Sequence, residues 1–408
     1  MKRLPLLCAG PALACMLLLA PPCPAVTADG FMWHNTRLGE IDYLPLEDLR
    51  SFYKLIPMQG AEGAHCVGNG ELKVTFGPDT RDITLNGIRC RLSHPTRRAE
   101  NGDLLVSKVD MVKLIDPVLR PTYIHNRRTV KTVVVDAGHG GHDAGTATPY
   151  VREADTTLLV AAALRAELEK RDFLVLLTHE DNRYLSDQQR VDTANAAANA
   201  VFISLHLNNG RSDMRGVETY TVDPAESDDA PMPGNEYDTS NAALAMALQS
   251  SLVRRCGAAD GGCRRAHYSI LSSVSCPAAL VELGYAGNKE EGTLLSSEEY
   301  RGKLAKALAE GIATFAEIMN PETSLQQREQ SSTSSAKPAT PPTPVKPAEP
   351  VKTTPAKPAP TDKKKVGTTR SNTQRSTPAR NTKRSTTPAR RTPANPAPAR
   401  RTQTTKQR

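Results

Sequence analysis

Aromatic side chains are scarce in this chain, with 1 Trp, 6 Phe and 10 Tyr among 408 residues, and only 38% of it is hydrophobic. That composition excludes one continuous core along the whole length, so folded domains joined to segments without a core are expected. Long apolar runs are missing too. The one at Leu4 to about Ala20 is interrupted by Pro5 and Pro11, which is too short and too broken for a membrane span of about 20 residues. With Lys2 and Arg3 before it and a small-x-small site at Cys23 to Ala25 behind it, residues 1–25 read as a secretory signal peptide and the protein as exported to the periplasm or cell envelope. No lipobox precedes Cys8, Cys15 or Cys23. Removing the signal leaves Cys66, Cys90, Cys256, Cys263 and Cys276, an odd set. The short loops Cys66 to Cys90 and Cys256 to Cys263 are plausible bridges in an oxidising compartment, with Cys276 left as a buried thiol. No cysteine reads as a nucleophile or a metal ligand.

What is present is unevenly distributed. The formal charge of +8 averages two unlike parts: from Pro321 onward there are 19 Lys+Arg against 4 Asp+Glu, a net of +15, and the remainder carries 33 against 40, a net of −7. Residues 321–408 are Pro, Thr, Lys, Arg and Ala with a loose ten-residue recurrence (STPAR at 376, TTPAR at 386, PAPAR at 396). This composition buries too little apolar surface to offset ordering entropy, so the segment is expected to be a disordered cation. In an exported protein its partners would be anionic envelope polymers or lipid head groups rather than a specific nucleic acid.

Residues 26–127 alternate in the manner of strands (ELKVTFG, DITLNGIRCRLS, DLLVSKVDMVKLI), with one helical stretch at 46–55, and predict a small strand-rich domain. Its NGIRCRLSHP and LLVSKVDMVKLIDPVLRP stretches are similar to the copper amine oxidase N-terminal-like domain. No spacing groups His65, His94 and His125 as copper ligands, so they read as surface or packing histidines. Residues 128–320 alternate strand and helix. Strands are expected at 131–136, 173–178, 201–206, 216–222 and 278–283, and helices at 154–171, 186–199, 241–255 and 297–319, which predicts an α/β domain. The expected fold class is therefore α/β, a mostly parallel sheet with helices on both faces, between the small domain and the tail.

The first of those strands runs into VVVDAGHGGHDAGT, residues 133–146. A phosphate cradle would need a Gly-Lys-Ser/Thr ending or a third glycine where Asp143 stands, so neither nucleotide pattern is met. A metal site suits the imidazoles better, because open α/β sheets place ligands at the carboxyl ends of strands. His139 follows the first strand, His206 closes the third and Glu282 the last, while Glu153 opens the first crossover helix. If the strands are parallel, these four meet at one edge. Two imidazoles and a carboxylate form a catalytic zinc shell, and a second carboxylate beside a water serves as its base. His142 is an alternative ligand better read as a turn residue, His179 reads as an exposed loop histidine, and Arg265 and His267 are candidates for substrate contact.

DAGHGGHDAGT, Glu153, RVDTANAAANAVFISLHLN, GVETY and PAALVELGYAGNKEEGTLLSSEEYRGKLAKALAEGI together resemble the zinc-dependent N-acetylmuramoyl-L-alanine amidases over 131–316. The resemblance implies zinc (Zn2+) held by His139, Glu153 and His206, catalysis by Glu282, a sheet of about six strands, and peptidoglycan as substrate, cut between N-acetylmuramic acid and L-alanine. It departs at Leu205-His206-Leu207-Asn208, where the family often has Ile-His-Ala-Asn; the histidine and asparagine remain. The stretch from Val222 to Asn241 is short for a repressing lid, so no obligate activator is expected, and the protein is expected to act as a monomer. Two other readings are an envelope-tethered binding protein and a zinc peptidase of another bond preference.

Overall fold

The computed structural model describes residues 25–26, 31–60, 63–224 and 235–322. Almost all of the signal segment, the tail from 323 and part of the stretch after Val222 lie outside the described residues.

Eleven strands join in one sheet, numbered here along the chain. β1 (Ile56–Met58), β2 (His65–Gly68), β3 (Lys73–Phe76), β4 (Asp82–Leu85) and β5 (Ile88–Arg91) come from the first part of the chain. β6 (Thr132–Ala137), β7 (Leu174–Leu177), β8 (Ala200–Asn208), β9 (Val217–Val222), β10 (Asp260–Ala266) and β11 (Ala278–Tyr285) come from the second. The order is β7-β6-β8-β11-β9-β10-β5-β4-β3-β2-β1. β7, β6, β8 and β11 run parallel, β9 is antiparallel to β11, and β1 to β5 form an antiparallel meander. The expectation of a six-stranded, mostly parallel sheet is thus corrected to an eleven-stranded mixed one. The reason lies in β10, whose sequence DGGCRRA has no apolar alternation to announce a strand. It pairs in parallel with β9 on one side and meets β5 at Cys263 and Cys90 on the other, so the sheet does not stop where the second region begins.

Burial explains the two kinds of strand. β6 is buried at every residue, as a parallel strand covered on both faces must be. Val133 and Val135, with Val201, Ile203 and Leu205 of β8, face the helices α2 (Glu153–Glu169), α4 (Asp238–Cys256) and α7 (Glu298–Met319). Val134 and Phe202 face the opposite way, toward α3 (Asp187–Asn195) and α5 (Ser269–Ser272). In β3, β4 and β5 buried and more exposed residues alternate, and their inner side chains pack with Ala242 and Ala245 of α4. Helix ends follow local chemistry. α3 opens on a capping box of Ser186 and Gln189, and α4 closes on Gly257 at φ 65°. The helix α1 (Leu46–Phe52) and a short four-stranded sheet that includes Ile41–Pro45 and Leu104–Ser107 complete the first part. A helix at Lys289–Ser296 (α6) has no counterpart in the sequence reading.

A buried ion pair crosses between the two parts. Arg265 of β10 lies 2.8 Å from Asp110, and both side chains are almost fully buried. Asp110 also accepts the backbone N–H groups of Ser93 and His94, and Arg265 donates to Ser93 Oγ. Arg265 is therefore a structural cation, which corrects its reading as a substrate contact. His267 is exposed and is not among the residues lining the site cavity. The described cysteines are all free thiols, so the expected bridges are not formed. Cys90 faces Cys263 across the sheet instead, Cys66 accepts a hydrogen bond from Thr75, and burial pushes the Cys276 thiol up to about 12. Among the described residues no helix is long and apolar enough to cross a membrane.

Candidate functional site

The parallel strands set the site by ending together. β6 runs out at Ala137 into Gly138 and His139, while His206 near the end of β8 is the register partner of Glu282 in β11. Glu153, the first residue of α2, is buried beside them. One ligand atom from each of His139, Glu153 and His206 lies within 4.8 Å of the others. Among the described residues this is the group of three or more His, Cys, Asp or Glu side chains that could hold a metal ion. His142 is not in it; it is exposed and tilts against the Tyr184 ring, with centroids 4.3 Å apart. His65, His94 and His125 are not in it either.

The glycines make room for these rings. A Cβ on Gly138 would sit 2.4 Å from His206 Cε1, and one on Gly145 would sit 2.5 Å from His139 Cδ2 and 2.7 Å from Glu153 Oε2. Gly145 has φ +61° besides, and His139 itself is held at φ 67°, a left-handed conformation that costs a non-glycine residue of order 1 kcal/mol or more. Arg190 of α3 holds that turn in place. Buried against Asp136, it donates to the carbonyl of Ala137 at 2.7 Å and to that of His139 at 2.9 Å. Asp136 is satisfied in turn by Thr178 and Ser204 hydroxyls. His179, expected to be exposed, is buried under the same turn, where burial lowers its pKa.

Each imidazole has a carboxylate partner. His139 Nδ1 lies 2.8 Å from Asp143 Oδ2, and its Nε2 lies 3.1 Å from Glu153 Oε1. His206 Nδ1 is 3.1 Å from the same oxygen. The Glu153 hydrogen bond, with Asp143 behind it, outweighs burial and lifts His139 to about 9. Burial works against the Glu153 charge, yet the two histidines and the N–H groups of Leu207 and Thr146 hold its carboxyl well below the usual range. The donor set of two nitrogens and one carboxylate oxygen matches a zinc site with an open position, and Asp143 on the far nitrogen of His139 is the outer partner that such sites use to fix a ring. Residues and cradle fit the ion.

Glu282 is in a different state. It lines the same cavity, of about 540 Å³, but its Oε2 is buried without a hydrogen-bond partner among the described residues. Burial raises its pKa to about 7; Glu153 and Glu218 push it further and the two histidines pull against them. Glu218 is its cross-strand neighbour, tied down by Arg264, Asn208, Tyr220 and Tyr285. A carboxyl poised near neutrality beside a metal-binding group can accept and return a proton. Tyr184 and Tyr268 line the cavity as well. Neither these tyrosines nor Asp143, Arg190 and Glu218 were assigned a role from sequence; Asp143 was visible only as the residue that breaks a glycine pattern.

Residues 133–314 match the N-acetylmuramoyl-L-alanine amidase family. The chain is 31% identical over 186 residues to the uncharacterized protein YqiI of Bacillus subtilis, covering 45% of this chain and 84% of that one. It is 31% identical to the endolysin of Bacillus phage SPP1 over 47% of this chain and 66% of that protein. With the N-acetylmuramoyl-L-alanine amidase LytC of Bacillus subtilis it shares 27% identity, spanning about a third (35%) of LytC. Among solved structures, the N-acetylmuramoyl-L-alanine amidase AmiC2 of Nostoc punctiforme is 30% identical, with 45% of this chain and 96% of that chain covered at a TM-score of 0.40.

Proposed function

The chain belongs to the N-acetylmuramoyl-L-alanine amidases, and from that premise we propose that it is a zinc-dependent, exported hydrolase of peptidoglycan. The bond cut is the amide between the lactyl carbonyl of N-acetylmuramic acid and the nitrogen of L-alanine. One observation carries this reading: a metal-binding trio and a buried carboxyl with an unpartnered oxygen share one cavity at the strand ends. His139, Glu153 and His206 would hold the ion, which when bound would polarise the carbonyl and acidify a water. Glu282 takes the proton of the attacking water as the C–O bond forms, then delivers it to the alanine nitrogen as the C–N bond breaks. The products are a lactyl carboxylate on the sugar and a free peptide amine. Proton transfer of this kind contributes about 10² to 10⁴ in rate. Asp143 orients His139, and Arg190 holds the turn that carries it.

Glu282→Ala should leave the metal bound and remove most turnover on purified sacculi. Wild-type lysis by that variant would refute the base assignment. Clearing in a zymogram that vanishes with chelator supports hydrolysis over a purely tethered binder. Mass spectrometry of the digest separates amidase from peptidase, since an amidase frees the intact stem peptide from the sugar. The basic segment 321–408 fits retention on anionic envelope polymers or lipid. Deleting it, or raising salt, should release the protein from envelopes.

A further inference from the structure

A second cavity, of about 230 Å³, lies in the first part of the chain and is lined by the aromatic Trp33, Phe52 and Tyr53, the polar or charged Asn35, Lys108, Asp116 and Arg120, and a few aliphatic neighbours. Its wall is aromatic in a protein poor in aromatics, and Trp33 is the only tryptophan in the chain. The indole is fixed by Phe31 and Phe52, whose ring centroids lie 5.1 and 5.0 Å from it. Asn35 is one of the lining residues, and its amide oxygen is buried without a hydrogen-bond partner among the described residues, a state that is costly for an acceptor. The charge balance is positive. Asp116 is consumed internally by the Tyr53 hydroxyl and Arg120 Nε, while the Arg120 guanidinium lies 4.4 Å over the Phe52 ring. Lys108, exposed at the rim, has no ion-pair partner among the described residues.

We propose that this cavity is a saccharide site, separate from the hydrolytic one, for an N-acetylated sugar that carries a carboxylate: the muramyl residue of a wall strand after its stem peptide has been removed. The proposal rests on the amidase reading for the identity of that polymer. The volume is below the roughly 300 to 1,000 Å³ of sites for drug-sized ligands and suits one pyranose ring. An aromatic wall takes the apolar face of the ring, Asn35 Oδ1 accepts from an acetamido N–H or a hydroxyl, and Lys108 with Arg120 meets the lactyl carboxylate that hydrolysis exposes. The shared sheet and the Arg265–Asp110 pair join this part of the chain to the part that carries the cleft, so a strand held here stays tethered to the enzyme after each cut.

Trp33 reports on the site directly. The full chain is titrated by tryptophan fluorescence with the GlcNAc–MurNAc disaccharide bearing a free lactyl carboxylate, which has no stem amide left to cut, with neutral chitobiose, and with free stem peptide. A saturable change with the first, at least tenfold weaker with chitobiose and absent with the peptide, is expected. Lys108→Ala, a substitution at an exposed residue, should weaken the disaccharide about tenfold, and Asn35→Ala should do the same with an unchanged circular dichroism spectrum. No saturable response, equal affinity for chitobiose, or a response to the stem peptide alone would overturn the assignment. Product analysis of the wild type is a separate reading. Correct amide cleavage without a titration removes the second site alone, and a titration without cleavage removes the amidase reading alone.

Discussion

Replacing Glu282 by glutamine should make the metal-free protein more stable while it abolishes turnover, and the size of the gain follows from the site. In the native fold the carboxyl titrates at about 7 because it is buried with an unpartnered oxygen, against a usual value of 4.5. Between those values the native protein keeps a proton that the unfolded chain has lost, so stability falls as pH rises from 4.5 to 7 and stays reduced above that. The gap corresponds to about 3 kcal/mol at full ionisation. Glutamine has nearly the same shape and no charge to desolvate. Urea unfolding of chelator-treated wild type and Glu282→Gln across pH 4.5 to 8 should therefore give curves that coincide at the acid end and separate by about 3 kcal/mol at pH 8, the variant being the more stable. A difference that does not change with pH would show that the carboxyl is not held in a desolvated, proton-favouring state, and the argument for it as a poised base would fall with it.

Other consequences are equally open to measurement. Asp110→Ala leaves Arg265 charged and buried, and should cost about 3 to 5 kcal/mol in urea unfolding; replacing both residues by apolar ones of similar size should recover most of that. Asp143→Asn removes the carboxylate behind His139 and should weaken zinc about 10- to 100-fold in chelator competition, with unfolding midpoints of the metal-free protein little changed. Arg190→Lys cannot hold Asp136 and the Ala137 and His139 carbonyls with one planar group, so kcat should fall at least tenfold; wild-type turnover would show that the turn at His139 holds without it. Dialysis against a strong chelator should abolish hydrolysis, and added zinc should restore it.

Much of the arrangement could be read before any fold was known, for reasons that can be named. Strands β6, β8 and β11 are largely apolar runs of the kind that suits burial on both faces of a sheet, and their parallel alignment is what brings His139, His206 and Glu282 to a common edge. β10 escaped notice because two glycines and two arginines hide its period. Arg265 read as a possible substrate contact because a buried cation looks like an exposed one until its partner, 155 residues away at Asp110, is in place. His179 was misjudged for the same reason: the polar stretch after it suggested solvent, while the glycine turn covers it.

Sequence by itself determined most of the local elements, through periodicity and capping, and supplied four candidate site residues with the small glycines beside them. Tertiary structure alone decided that the sheet continues across both parts, that Asp143 and Arg190 brace the turn at His139, and that Glu282 stays without a partner near neutrality. Period and propensity act over a few residues along the chain. Desolvation and charge pairing depend on which distant groups the fold sets side by side, and no local pattern encodes them.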